Sequence, residues 1–201
     1  MRLHLGRVAA LRNVFVVAAI SFFAASAFAA FYSAPKEFTF PQDNFAILTH
    51  ADPEVVEQPS PPGRIYQFNS PAFGKGVLFS VNVTPIDTKL GRSDKEWYCF
   101  VARNGRDIVS VTQSGVTGVQ LVDDKTMPGA VVAERVFLDK GKLYVVTAWG
   151  EDPSNPSQFA GRAEMMQEFL GSWRLLDAPK NLPSPKIGEA VSCASKPETH
   201  S

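Results

Sequence analysis

The residues best equipped for chemistry in this 201-residue chain are few. They are His50, Asp52 and Glu54 in the run His50-Ala51-Asp52-Pro53-Glu54, the two cysteines Cys99 and Cys193, and the acidic doublets Asp123-Asp124 and Glu151-Asp152. An imidazole and two carboxylates are metal donors, so the His50 run could offer three ligands. Pro53 and the acidic, polar residues after it weigh toward a solvated connection instead. The doublets sit at the ends of expected strands, where adjacent side chains point to opposite faces and cannot share a proton as an acid/base pair. Cys99 as a nucleophile needs a neighbouring base, and only His50 could supply one from within the domain, since His4 and His200 lie near the ends of the chain. No Gly-x-Ser-x-Gly elbow, phosphate-binding glycine loop or dinucleotide fingerprint is present. The expectation is therefore a protein that is not an enzyme, with no catalytic, cofactor-binding or metal-binding residues and no cofactor.

The cysteines leave two readings open. In an oxidising compartment Cys99 and Cys193 could pair, and closing so long a loop would add about 4 to 5 kcal/mol on the loop-entropy view. Equally, they could stay unpaired or bridge between molecules. Charge is balanced at 20 basic and 20 acidic residues, and without Arg2, Arg7 and Arg12 it becomes 17 against 20, a net of −3. Nucleic acid is a poor partner for such a surface, because phosphate binding needs clustered basic residues.

Several periodicities must position whatever chemistry there is. Val77, Phe79, Val81 and Val83 alternate with Leu78, Ser80, Asn82 and Thr84, which predicts a strand with one apolar face, ended by Pro85. Asn82-Val83-Thr84 is a glycosylation sequon, relevant only in a eukaryotic secretory route and set within that strand. Arg64 to Phe68 is the expected hairpin partner, across a turn at Ser70 to Gly76. Val116 to Val122 predicts another strand, set off by Met127-Pro128-Gly129. Ala130 to Leu138 and Leu143 to Trp149 flank Asp139-Lys140-Gly141-Lys142, the clearest hairpin in the chain. Its second strand is apolar on both faces, which predicts a central position with both sides covered.

Two helices are expected. Ser93-Asp94-Lys95-Glu96 is a capping box, and Trp97, Phe100, Val101, Asn104 and Ile108 follow at helical spacing as the face that packs on the sheet. Cys99 then points away, with an accessible thiol. The second helix starts with Asn155 as cap and Pro156 at its first position, and Phe159, Ala163, Met166, Leu170 and Trp173 form its inner stripe.

The first residues read as an export signal. Three arginines without an acidic residue precede an apolar run from Val14, which closes on Ala27-Phe28-Ala29, a cleavage site. The alternative is an uncleaved anchor, since residues 14–31 make an 18-residue run broken only by Ser21 and Ser26. Both readings export the remainder. The expected organisation is a signal peptide at 1–29, one α+β domain at 30–176, and a disordered, proline-rich tail at 177–201.

The stretch from Ser93 through Leu176, with AERVFLDKGKLYVVTAWG and a helix ending FLGSWRLL, resembles the PsbP-like and Mog-like α/β/α sandwich, including the bacterial exported DcrB-related domains of unknown role. Phe38-Thr39-Phe40-Pro41 followed by Phe45 is similar to that family's opening strand and turn. The resemblance implies a mostly antiparallel sheet with helices packed on its faces. Family members are accessory factors of a photosystem, a binding partner of a small GTPase, and envelope proteins; none of their binding residues has a counterpart motif here. The expected function is an exported, non-catalytic envelope module that binds another protein or stabilises a membrane complex. The alternative is a small-ligand carrier with an interior pocket of several hundred cubic ångströms between sheet and helices, and an enzyme using dispersed polar residues is the third reading. The expected location is periplasmic or secreted, preferably the Gram-negative periplasm, or else the inner membrane through residues 14–31.

Overall fold

The computed structural model describes residues 34–69, 77–87, 91–102, 108–123, 130–151, 156–179 and 183–193. The expected signal at 1–29, the turn at 70–76, Pro128-Gly129 and the Asn155 cap lie outside the described residues. From Pro35 onward the chain forms one compact unit.

The architecture is α+β, an antiparallel sheet with two helices. Eleven strands run in the described residues: β1 (Lys36–Phe40), β2 (Phe45–Thr49), β3 (Glu54–Pro59), β4 (Pro62–Phe68), β5 (Val77–Pro85), β6 (Ile108–Gln113), β7 (Val116–Asp123), β8 (Ala130–Asp139), β9 (Lys142–Glu151), β10 (Arg174–Leu175) and β11 (Lys186–Ala190). The helices are α1 (Asp94–Val101) and α2 (Pro156–Ser172). Eight strands form one sheet in the order β11-β6-β7-β8-β9-β5-β4-β3, and β1-β2-β10 form a second, smaller one.

Alternation along the strands decides the layers. Phe79, Val81 and Val83 of β5, Tyr144, Val146 and Ala148 of β9, and Phe137 of β8 share one face. This face packs on Phe45 and Ile47 of β2 and on Met166, Phe169, Leu170 and Trp173. Aromatic rings fill the layer: Phe79 stacks on Phe169 at 4.6 Å, and Phe137 on Trp173 at 4.4 Å. Only a glycine fits at Gly118, since a Cβ there would run into the Val136 carbonyl and the Phe137 ring. On the opposite face Tyr98 and Ala102 of the α1 segment pack with Ile108, Val119, Leu121, Val136 and Leu143. The β8–β9 hairpin turns through Lys140 (φ 47°) and Gly141 (φ 76°), and β9 lies centrally with neighbours on both sides.

Four sequence expectations change. α1 stops at Val101, so its buried side is Tyr98 and Ala102, while Phe100 is 43 % exposed. A helix of two turns can choose its inner face by one long side chain, and Tyr98 reaches inward to donate its hydroxyl to the Thr117 carbonyl at 2.9 Å. Trp97 and Phe100 instead meet edge to face under the Arg92 guanidinium. Second, Ile108 opens β6 and does not continue the helix. Third, the connection after Pro53 is an edge strand, β3, whose six residues are mostly exposed. Fourth, the segment from Asp177, expected to be disordered, carries β11, antiparallel to β6. Backbone pairing orders that stretch where side-chain burial cannot.

A candidate binding cleft

Apart from the two cysteines, the sequence-singled residues do not converge. His50 faces Glu168, with Nε2 3.9 Å from its carboxylate, whereas Glu54 begins β3. Among the described residues no three His, Cys, Asp or Glu side chains group as a metal site. Asp123 ends β7 and Glu151 ends β9; Asp124 and Asp152 lie outside the described residues. Cys99 and Cys193 are joined as a disulfide with Cα atoms 5.4 Å apart, so Cys99 carries no free thiol.

What the fold does build is a surface cleft of about 490 Å³. Its floor and sides come from four places: Leu48 and Glu37 on the small sheet, the end of α2 with Gln167, Glu168 and Ser172, the β6–β7 turn, and the segment Pro183-Ser184-Pro185. By contrast, the space beside Phe79 and Phe169, bounded also by Leu48, Thr49 and His50, is about 10 Å³, too small for a ligand.

Three of the four walls are held from behind by side-chain bonds. The last carbonyls of a helix have no partner of their own, and at α2 the Gln113 side-chain amide supplies one. Its Nε2 donates to the carbonyls of Leu170 (2.8 Å), Gly171 (3.1 Å) and Trp173 (2.7 Å). Gln113 Oε1 in turn accepts from Arg135 Nη1 at 2.8 Å, while Arg135 Nε donates to Gln120 Oε1 at 2.9 Å. Arg135 is 4 % exposed in the middle of β8, and burial pulls its guanidinium below its ordinary pKa. The β6–β7 turn is a two-residue hairpin turn at Ser114 (φ 58°) and Gly115 (φ 75°), and Ser114 Oγ accepts from the Leu175 amide at 3.0 Å. Ser172 Oγ accepts from the Leu48 amide (3.0 Å) and donates toward the Phe169 carbonyl (2.8 Å). At the mouth Arg174 binds Glu37 through Nη2 and Nε at 2.6 and 3.1 Å.

A second polar cluster lies elsewhere, where the short 3-10 turn Pro41–Asp43 meets the large sheet. Asp43 is 3 % exposed; its Oδ2 accepts from Tyr66 (2.5 Å) and Arg64 (3.0 Å), and its Oδ1 from Lys142 (2.8 Å). Tyr144 donates to the Asp43 carbonyl at 2.9 Å. Burial alone would raise the carboxyl's pKa, but the bonds from Lys142, Tyr66 and Arg64 outweigh it and hold it below the ordinary value. Burial, with the adjacent carboxylate, pushes the Tyr66 phenol up. This cluster is closed on itself and has the form of a structural staple.

Sequence reasoning passed over Gln113, Ser114, Arg135, Arg174 and Asp43. Two signals were there to use: Ser114-Gly115 between two β-like runs, and Arg135 inside the apolar run Ala130 to Leu138, where a charge must find internal partners.

No family model matches the chain, and no curated protein matches it in sequence. Among solved structures, the solution structure of cyanobacterial PsbP (CyanoP) from Synechocystis is similar at a TM-score of 0.45 and 12% identity, over 71% of this chain and 92% of that one.

Proposed function

We propose that this protein is an exported, non-catalytic module of the cell envelope that binds a segment of another protein, or steadies a membrane complex, through the cleft beside α2. The observation that carries this reading is an open cleft of about 490 Å³ with three of its walls held by side-chain bonds, against about 10 Å³ in the space beside Phe79 and Phe169. Polar and proline rims suit an extended chain more than a buried apolar ligand. The Cys99–Cys193 bridge supports an oxidising compartment, the periplasm or the exterior, and agrees with the export signal read at 1–29.

The test is site-specific photo-crosslinking in the cells that make the protein, with the reactive residue placed at Gln167 and, as control, at Thr84 on the far face of β5. A discrete protein adduct from position 167 and none from position 84 is expected. Adducts absent from both, or equal from both, overturn the reading. A second reading, a small ligand in the same cleft, has the volume in its favour, since such sites span about 300–1,000 Å³. Native mass spectrometry of the freshly purified protein would then show a bound small molecule that a Gln167→Trp variant loses.

A further inference from the structure

The fourth wall of the cleft differs in kind from the other three. Pro183-Ser184-Pro185 reaches the cleft, β11 follows directly, and Cys193 closes the stretch by its bond to Cys99 of α1. All five β11 residues are exposed, with Ile187 at 52 %. Its ladder to β6 pairs Lys186 with Thr112, Ile187 with Val111 and Ala190 with Val109, and it is broken by an irregularity between Ile187 and Ala190. Hydrogen bonds at an exposed edge contribute little net stability, because water competes for both partners. Two local features set where the strand lies. Gly188 passes close over Ser110, whose Oγ would have to turn aside to admit a Cβ there, and the Val191 amide donates to the Ile108 carbonyl at 2.8 Å. Beyond this pairing and the Val191 side chain packed against the Tyr98 cluster, the segment is held by the covalent tie to α1, which spans 94 residues of sequence. Tethering at both ends lowers the entropy lost when the strand re-pairs; breaking the Cys99–Cys193 bond leaves it tied to the domain through its Pro183 side alone.

We propose that the Cys99–Cys193 disulfide is a redox latch on a strap formed by residues 183–193, so that the oxidised protein holds the fourth wall of the cleft in place and the reduced protein releases it. Opening requires a dithiol reductant: its two thiols give up two electrons and two protons, the Cys99–Cys193 bond breaks to two thiols, and the reductant leaves as a disulfide. The strap regulates the cleft proposed above as the binding site, and so the inference rests on that reading, but the release is measured without any partner.

The experiment is hydrogen exchange read by mass spectrometry on the full protein, oxidised and then treated with dithiothreitol, with thiols counted in parallel. Reduction is expected to speed exchange of the β11 amides at least tenfold and to expose Lys186 to trypsin, while β8 and β9 exchange as before. Cys193→Ser should behave as the reduced protein does in either buffer. Unchanged β11 exchange after two thiols have appeared overturns the latch, because pairing alone then holds the strap. Loss of protection across β8 and β9 also overturns it, because the bridge then holds the whole fold. If the latch behaves as expected and position 167 still yields no adduct in either redox state, the binding reading fails and the latch stands.

Discussion

Two buried charges in this molecule are handled in opposite ways. Asp43 meets two cations and a phenol, and its cluster pins the 3-10 turn Pro41–Asp43 to β4 and β9. Arg135 meets the neutral amide oxygens of Gln113 and Gln120. A charge answered by charges is a staple; a charge answered by amides organises what the amides themselves hold. Here Gln113, oriented by Arg135, caps the carbonyls that end α2, and those residues are a wall of the cleft. The difference suggests why the two clusters sit where they do. The Asp43 site joins layers, while the Arg135 site fixes the end of α2 that walls the cleft.

Removing Arg135 should separate the two most sharply. Arg135→Ala leaves a cavity, with the buried Gln113 oxygen and the part-buried Gln120 oxygen unpaired, and an expected loss of about 4 kcal/mol, read from urea unfolding midpoints. Arg135→Met fills the volume without a buried charge and should lose roughly half as much. Equal losses would mean the charge itself is needed, and the comparison would collapse.

Next in size is Asp43→Ala, which should cost about 3 kcal/mol at neutral pH: Tyr66 loses its acceptor, and Arg64 and Lys142 keep only Glu57 and the Gln42 carbonyl. The sign with pH follows from the lowered pKa. A carboxyl held below its ordinary value stabilises the fold above that value, and the contribution disappears as pH falls through the folded-state pKa. The gap between wild type and Asp43→Ala should thus stay constant above about pH 5 and close below about pH 4. Arg135 variants should show no such closing over the same range.

Gln113→Ala comes third, at about 2 kcal/mol, and it should couple to Arg135→Ala by about 1 kcal/mol in a double-mutant cycle, because one amide serves both partners. The same variant should couple to Asp43→Ala by nothing measurable. The smallest effect is Ser93→Ala, about 1 kcal/mol, since Ser93 and Glu96 cap α1 reciprocally through bonds of 2.6 and 3.3 Å. It touches neither cluster and calibrates the others.

Legibility followed the range of the interactions. The β8–β9 hairpin, β5, the α1 cap and the inner positions Met166, Leu170 and Trp173 could all be read, because period, turn residues and capping are set by neighbours a few positions apart. The α1 face was misread because eight residues leave the choice of buried side to Tyr98 and its acceptor on β7, far along the chain. β11 was misread for a similar reason: its own five residues bury no apolar area, and its place is set by β6 and by the bond from Cys193 to Cys99. The cleft was not legible at all. Its walls come from residues as separated as Glu37, Gln113, Ser172 and Pro183.

Taken alone, the amino-acid sequence determined the α+β class, the strongest strands and both helices, the expectation of export, and a poverty of catalytic side chains. These rest on local periodicity and on composition, which need no partner from elsewhere in the chain. Tertiary structure decided that Cys99 and Cys193 meet, that Asp43 and Arg135 are buried in unlike company, and that a strap from the C-terminal segment walls a cleft. Those depend on contacts between residues many tens of positions apart, and only the folded backbone brings them within bonding distance.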